Sequence, residues 1–261
     1  MVYTFDLTGK TVLITGGYGY LGKGITESLL WHGAVVYVLG RSREKFLNAF
    51  ENHEKLEQSL FFEQCDVAHT SSIQKAFKSV AGKKQGFDVL INNAFYLEGN
   101  DPLKMTDQEW ENGVDGTLNS VFRCTREAIQ YLKKSSAPRI INVSSMYGMV
   151  APEFSVYRNF PEMQNPPHYG AAKAGVIQLS RYYASYLGED RITVNTVTPG
   201  PFPPKPVQEK KEFIEELEKK TSLKRIGKPE DLGGVFVFLA SDASGYITGQ
   251  NIVVDGGWTI K

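Results

Sequence analysis

The sequence predicts one α/β domain in which a doubly wound parallel sheet of seven strands carries helices on both faces. Three observations predict it. Short, β-branched, nearly continuous apolar runs alternate with longer helical patterns along the whole chain, as expected of strands covered on both faces. A glycine-rich turn follows the first run and opens a helix. The length of 261 residues fits one large α/β domain better than two.

In chain order, Thr11–Thr15 (TVLIT) reads as the first strand, followed by the glycine-rich turn and an amphipathic helix over residues 21–31. Residues 35–39 (VVYVL) give the second strand, with charged helical sequence over 42–56 behind it. Residues 60–65, 88–92 (DVLIN), 139–143 (RIINV), 192–197 (ITVNTV) and 251–254 (NIVV) give the remaining five. Right-handed crossovers then place the ligand site at the C-terminal ends of the strands. Two stretches stand apart and follow strand ends. Residues 146–168, rich in Pro, Asn and aromatics, read as a substrate-loop insert, and residues 199–225, a Pro-rich loop running into a charged helix, read as a lid. The lid's charge repeats suggest i,i+4 pairs.

Composition narrows the function. Lys+Arg and Asp+Glu both number 29, so no basic surplus points to nucleic acid. The two cysteines, Cys65 and Cys124, lie in apolar-rich segments and read as small buried side chains of a reducing compartment. The first residues lack a signal-peptide pattern, and the longest apolar run, 235–240, is too short to span a bilayer. A soluble, cytoplasmic protein acting on a small molecule is expected, with neither nucleic acid nor membrane as partner. His32 and His53 read as surface residues, and no His/Cys/acid cluster has metal spacing, so no metal is expected.

The turn Gly16-Gly17-Tyr18-Gly19-Tyr20-Leu21-Gly22 sits where a Rossmann-type fold holds a dinucleotide. Glycines allow the tight turn, and backbone N–H groups approach a pyrophosphate at the helix N-terminus. At the end of the second strand an NAD site places a carboxylate; here Gly40 is followed by Arg41, Ser42 and Arg43. Two guanidiniums and a hydroxyl suit a 2′-phosphate, so NADP is the expected cofactor, with NAD the alternative; a solvated helix start is the other reading of the arginines. Asp66, with Val67 beside it, reads either as the acceptor for the adenine amino group or as a turn aspartate. Asn93 and Ala94 end the fourth strand, and Pro199 and Gly200 end the sixth with Phe202 just beyond; all are expected along the cofactor cleft.

Tyr169 and Lys173 lie four residues apart, on one face of a helix. A free tyrosine titrates near pH ~10, and a nearby ammonium with an oxidised nicotinamide would lower it, letting the phenol exchange a proton with an alkoxide. Ser145, at the end of the fifth strand, is placed to polarise a substrate oxygen, whereas Ser144 reads as structural.

Taken together, these residues resemble the short-chain dehydrogenase/reductase family, compact branch, over nearly the whole chain. The resemblance rests on Asn92-Asn93-Ala94, Asn142-Val143-Ser144-Ser145, Tyr169/Lys173, Pro199-Gly200 and Val254-Asp255-Gly256-Gly257. It implies a hydride-transfer enzyme with Tyr169 as acid/base. Lys173 is then its tuner and the binder of the nicotinamide ribose, and Ser145 orients the substrate oxygen. Residues 169 and 173 thereby also become cofactor contacts. The resemblance further implies a homo-oligomer, tetramer or dimer, with residues 232–240 and the last strand at an interface.

Four features depart from that pattern. Tyr20 stands where the compact branch has glycine, giving an extended-branch spacing of Gly16, Gly19 and Gly22. The separation of 24 positions from Ser145 to Tyr169 exceeds the compact spacing. Thr117 occupies the usual tetrad asparagine position, which puts the proton path in question. Phe95 replaces a glycine after Asn-Asn-Ala, and the loop after Gly200 lacks its threonine. Either the sequence has drifted or the cleft is reshaped.

The insert brings Tyr147, Glu153, Tyr157, Arg158, Asn159, Glu162, Gln164, Asn165 and His168, and the lid brings Lys205, Lys210 and Lys211. Such groups suit a polyhydroxylated ligand, and the lysines suit a phosphate. The expected reaction is hydride transfer at a carbonyl or secondary alcohol, of a sugar or sugar derivative, with a solvated loop as the competing reading. A cofactor-retaining epimerase or dehydratase and a non-catalytic dinucleotide-binding protein are the alternatives.

Overall fold

The structure, a computed structural model, describes residues 5–51, 58–84, 86–99 and 101–261. The strands are β1 (Thr11–Thr15), β2 (Val35–Gly40), β3 (Leu60–Gln64), β4 (Val89–Asn92), β5 (Arg139–Val143), β6 (Thr193–Pro199) and β7 (Asn251–Val254). The helices are α1 (Tyr20–Trp31), α2 (Arg43–Ala49), α3 (Thr70–Lys84), α4 (Asp107–Val114), α5 (Ser120–Leu132), α6 (Phe154–Tyr157), α7 (Pro167–Tyr186), α8 (Lys205–Gln208), α9 (Lys211–Lys220) and α10 (Glu230–Ala240). All seven strands run parallel in the order β3-β2-β1-β4-β5-β6-β7. The order reverses between β1 and β4, where α/β sheets open their ligand crevice.

Alternating residues divide the core between the two faces. Val12, Ile14, Val36 and Val38 pack against α1, α2 and α10, while Leu13, Tyr37, Leu39 and Leu90 pack against α3, α5 and α7. Helix α10 is drawn onto α1 at small side chains: a Cβ on Gly233 would lie 2.0 Å from Ser28 Oγ. A third apolar cluster joins the insert to the lid through Tyr147, Val156, Tyr157, Phe213, Leu217 and Trp258. The two segments that stand apart in the sequence thus pack on each other.

The expected helix over 42–56 is shorter than its charge pattern suggests: α2 ends at Ala49, and residues 52–56 of that segment lie outside the described residues. His53 lies there too. His32 is half-buried rather than on the surface, closing α1 with its Nδ1 2.8 Å from the Ser28 carbonyl. The lid's near-neighbour ion pair is Lys219–Glu216 at i,i+3; Lys210 and Lys220 pair across to Glu162 and Glu153 of the insert, and Arg225 pairs with Asp231 of α10.

Between α4 and α5 the chain makes a π turn, Asp115–Asn119, which the sequence reading does not anticipate. The extra residue per turn pushes Thr117 inward, where it is 1% exposed and its hydroxyl has no protein partner. Asn119 turns away, donating to Asp115 Oδ1 at 3.1 Å.

Helix α7 is fixed to the sheet by a buried polar chain. Asn92 Nδ2 donates to Asn142 Oδ1 (2.8 Å), Asn142 Nδ2 to Ser180 Oγ (2.9 Å), and Ser180 to the Val176 carbonyl (2.7 Å). Buried groups paired this way lock one register, because any slip leaves each of them unsatisfied.

Candidate active site

One cleft of about 650 Å³ opens above the C-terminal ends of the strands. Gly16, Tyr18, Gly19, Tyr20, Leu21, Arg41, Asp66, Val67, Asn93, Ala94, Ser145, Tyr169, Lys173, Pro199, Gly200 and Phe202 all line it. Ser42 does not: its Oγ caps α2, accepting from the Lys45 N–H at 3.2 Å, and its backbone faces Tyr18.

The glycine loop packs tightly at the start of α1. A Cβ on Gly22 would fall 2.3 Å from the Gly16 carbonyl, so no side chain fits under the turn. Helix α1 begins at Gly19 without a side-chain cap, leaving first-turn N–H groups and the positive end of the helix dipole to a phosphate. Asn93 braces the loop, donating from Nδ2 to the Thr15 and Gly16 carbonyls at 3.0 and 3.1 Å. The missing carboxylate after β2 has a steric cause. A Cβ on Gly40 would lie 2.3 Å from the Tyr18 ring, which takes the space a side chain would fill. Asp66 behaves as the turn aspartate, accepting from the Ala68 N–H at 3.0 Å, while its edge faces the cleft.

Opposite the loop, the end of β5 and the start of α7 set three groups together. Ser144 is structural, donating to the Lys173 carbonyl at 2.8 Å. Ser145 Oγ accepts from the Tyr147 N–H at 3.2 Å, and it lines the cleft together with Tyr169, whose phenol it draws down slightly. Lys173 Nζ donates to the Val143 carbonyl at 2.7 Å. It lies over the rings of Phe95 and Tyr169, 5.2 and 5.7 Å from their centroids. Phe95, where the resemblance leads one to expect glycine, also packs on Tyr169 with centroids 5.7 Å apart.

The electrostatics differ from the sequence expectation. Burial is the main influence on both groups: it raises the Tyr169 phenol, against a smaller lowering by Ser145, and it pulls the Lys173 ammonium down to about 7. Loss of water penalises the charged form of each. Lys173 is bonded to a carbonyl and shielded by ring faces, so in the protein alone it does not draw the phenol down.

Several predicted groups lie elsewhere. His168 is fully buried, its Nε2 2.7 Å from the Glu98 carbonyl, and it clamps α7 to the loop after β4. Glu153 caps α6 and pairs with Lys220 at 3.5 Å. Arg158 is exposed, and Gln164 lines a separate outer depression. The lid lysines 205, 210 and 211 do not line the cleft, and Lys210 is paired with Glu162. From the insert, Tyr147, Tyr157 and Asn165 do line it.

Other residues were not legible in the sequence. Gln208 on the lid donates from Nε2 to the Tyr20 hydroxyl at 2.9 Å, tying α8 to the glycine loop and giving the unexpected Tyr20 a task. Arg123 holds Asp115 through two bonds of 2.8 Å and donates from Nε to the Val67 carbonyl at 3.1 Å. Asp115 in turn bonds the Tyr96 hydroxyl. The guanidinium keeps the Asp115 carboxyl well below the usual range, and burial pushes the Tyr96 phenol up to about 12. Only the pairing of Asp115 with Arg123, eight residues on, hinted at this brace.

Fold and cleft define a dinucleotide-binding oxidoreductase. The family model described as "Enoyl-(Acyl carrier protein) reductase" matches residues 20–259. The chain is 34% identical over 259 residues to a 3-oxoacyl-(acyl-carrier-protein) reductase of Thermotoga maritima, covering 97% of this chain and 99% of that one. It is 33% identical to a tropinone reductase homolog of Arabidopsis thaliana, covering 98% and 95%. Among solved structures, a putative gluconate dehydrogenase from Agrobacterium tumefaciens superposes with a TM-score of 0.87 at 29% identity, covering 97% of each chain. A gluconate 5-dehydrogenase from Burkholderia cenocepacia, in complex with NADP and tartrate, superposes with 0.87 at 25% identity over 98% of each. The chain belongs to the short-chain dehydrogenase/reductase family and is an alcohol/ketone oxidoreductase that uses a nicotinamide cofactor. Among the described residues no helix is long and apolar enough to cross a membrane, and no cluster of His, Cys, Asp and Glu could hold a metal ion.

Proposed function

We propose that the protein is an NADP(H)-dependent reductase of carbonyl groups carried by hydroxylated, sugar-like substrates, with Ser145, Tyr169 and Lys173 as its reacting set. The carrying observation is that a single cleft joins Arg41 and the uncapped start of α1 at one end to these three residues at the other. When bound, the nicotinamide supplies the hydride. The first-turn N–H groups of α1 hold the pyrophosphate, and Arg41 at the cleft edge suits a 2′-phosphate. Ser145 and Tyr169 hold the substrate oxygen between them, and the Tyr169 Oη proton passes to that oxygen as negative charge develops there. A phenol raised by burial is protonated throughout the neutral range, the form that reduction uses. Lys173 is anchored at the Val143 carbonyl in the same cleft, where it would hold the nicotinamide ribose. The oligomer expected of this family has support in exposed aromatic surface on α7, where Tyr182 and Tyr186 stack 6.0 Å apart at 61% and 67% exposure.

The cofactor assignment is tested by fluorescence titration with NADPH and NADH. The wild type should bind NADPH at least about tenfold more tightly, and Arg41→Ala should remove most of that preference, a charge-assisted contact contributing roughly 1.5–3 kcal/mol. Equal or tighter NADH binding by the wild type would overturn the NADP reading.

A further inference from the structure

The substrate end of the cleft has two chemically distinct walls. Met163, Val207, Phe213 and Leu217 form an apolar one. The other is polar: the hydroxyls of Tyr147 and Tyr157 meet, and the Asn165 side chain lines the cleft with them. Both tyrosines are buried, at 6% and 4% exposure. Two phenols in mutual contact spend one proton between them, whichever donates. The second proton has no acceptor among the described residues, although a buried O–H ordinarily finds one.

Charge sharpens the argument. Among the described residues, the only charged side chains lining the cleft are Arg41, Asp66 and Lys173. Arg41 and Asp66 stand at the ends of β2 and β3, at the nucleotide end, and Lys173 is engaged with the Val143 carbonyl. The lid lysines lie outside, Lys210 being paired with Glu162. A carboxylate or phosphate placed beside the tyrosine pair would be buried without a counter-ion, which is costly. Burial also raises both phenols, so they stay neutral donors rather than becoming phenolates.

We infer that Tyr147, Tyr157 and Asn165 form a specificity subsite for an uncharged hydroxyl group of the substrate, so that neutral hydroxyketones are selected over keto acids and phosphorylated sugars. This rests on the reductase reading above and deepens it. The spare phenol proton donates to the substrate hydroxyl oxygen, and a phenol oxygen or the Asn165 amide oxygen accepts the hydroxyl proton. A site built to bond a hydroxyl discriminates strongly against an analogue lacking it, because its own groups are then left unpaired.

The test compares three ketones with one four-carbon skeleton, erythrulose, butan-2-one and acetoacetate, using NADPH and the whole protein. The kcat/KM for erythrulose should exceed that for butan-2-one by about tenfold or more, with acetoacetate lowest. Tyr157→Phe, which keeps the ring and its packing, should lower the erythrulose-to-butanone ratio about tenfold, and Tyr147→Phe should lower it too. An unchanged ratio in both variants, or acetoacetate used as well as erythrulose, overturns the subsite while leaving the reductase reading intact. If no ketone is reduced, the reductase reading fails instead. Calorimetric binding of erythritol to the protein–NADP complex then decides the subsite: affinity reduced about tenfold by Tyr157→Phe supports it, and equal or absent binding overturns it.

Discussion

Tyr169→Phe is expected to lower kcat for carbonyl reduction by about 10³-fold, within the range a positioned proton donor contributes, while NADPH binding weakens no more than about threefold. The substitution removes one hydroxyl and keeps the ring that packs on Phe95 at 5.7 Å. Ser145 stays fixed by the Tyr147 N–H. The effect should therefore fall on kcat rather than on cofactor affinity, as expected for an interaction made in the transition state. Steady-state kinetics alongside a fluorescence titration separates the two. A loss of kcat below about tenfold would mean that the proton comes from another group.

Lys173→Met is expected to change how stability depends on pH. The lysine is 3% exposed and titrates near 7 in the folded chain, against an ordinary value of 10.5. Above the unfolded pKa the amine is neutral in both states, and its burial carries no charge penalty. As pH falls from there towards 7, the unfolded chain binds a proton that the folded chain refuses, so folding is progressively weakened; below 7 the difference is constant. Relative to the methionine variant, the wild type should thus lose on the order of a few kcal/mol between pH 10.5 and 7. Denaturant unfolding of both proteins across that range measures it. Parallel curves would show that Lys173 titrates as an exposed lysine does. Reduction should fall by about 10²-fold in the same variant, marking a residue kept for its chemistry at the expense of stability.

Much of this was legible in the sequence because parallel strands buried on both faces leave a strong local signal. All seven strands were placed to within two residues at either end, since β-branched runs such as TVLIT and RIINV admit few other readings. The glycine loop was legible because its constraint is local: Gly22 lies directly beneath the Gly16 carbonyl. What escaped depends on contacts between distant segments. Nothing near Tyr20 indicates that Gln208, 188 residues away, donates to its hydroxyl. His168, beside Tyr169, read as a group that could contact a hydroxylated substrate, but a partner 70 residues earlier, the Glu98 carbonyl, draws it into the core. The π turn at Thr117 leaves no pattern of its own, since one extra residue in a helix hardly disturbs the apolar period. Charge was the least readable property. Spacing alone set an ammonium beside a phenol, whereas burial holds both groups towards their neutral forms.

The most direct test is a single turnover of erythrulose with NADPH carrying deuterium at both C4 positions, the product analysed by mass spectrometry and NMR. One deuterium bonded to the former carbonyl carbon in the wild type, with transfer slowed by about 10³-fold in Tyr169→Phe, is the expected result. No deuterium in the wild-type product, or transfer equally fast in the variant, would contradict hydride transfer assisted by Tyr169.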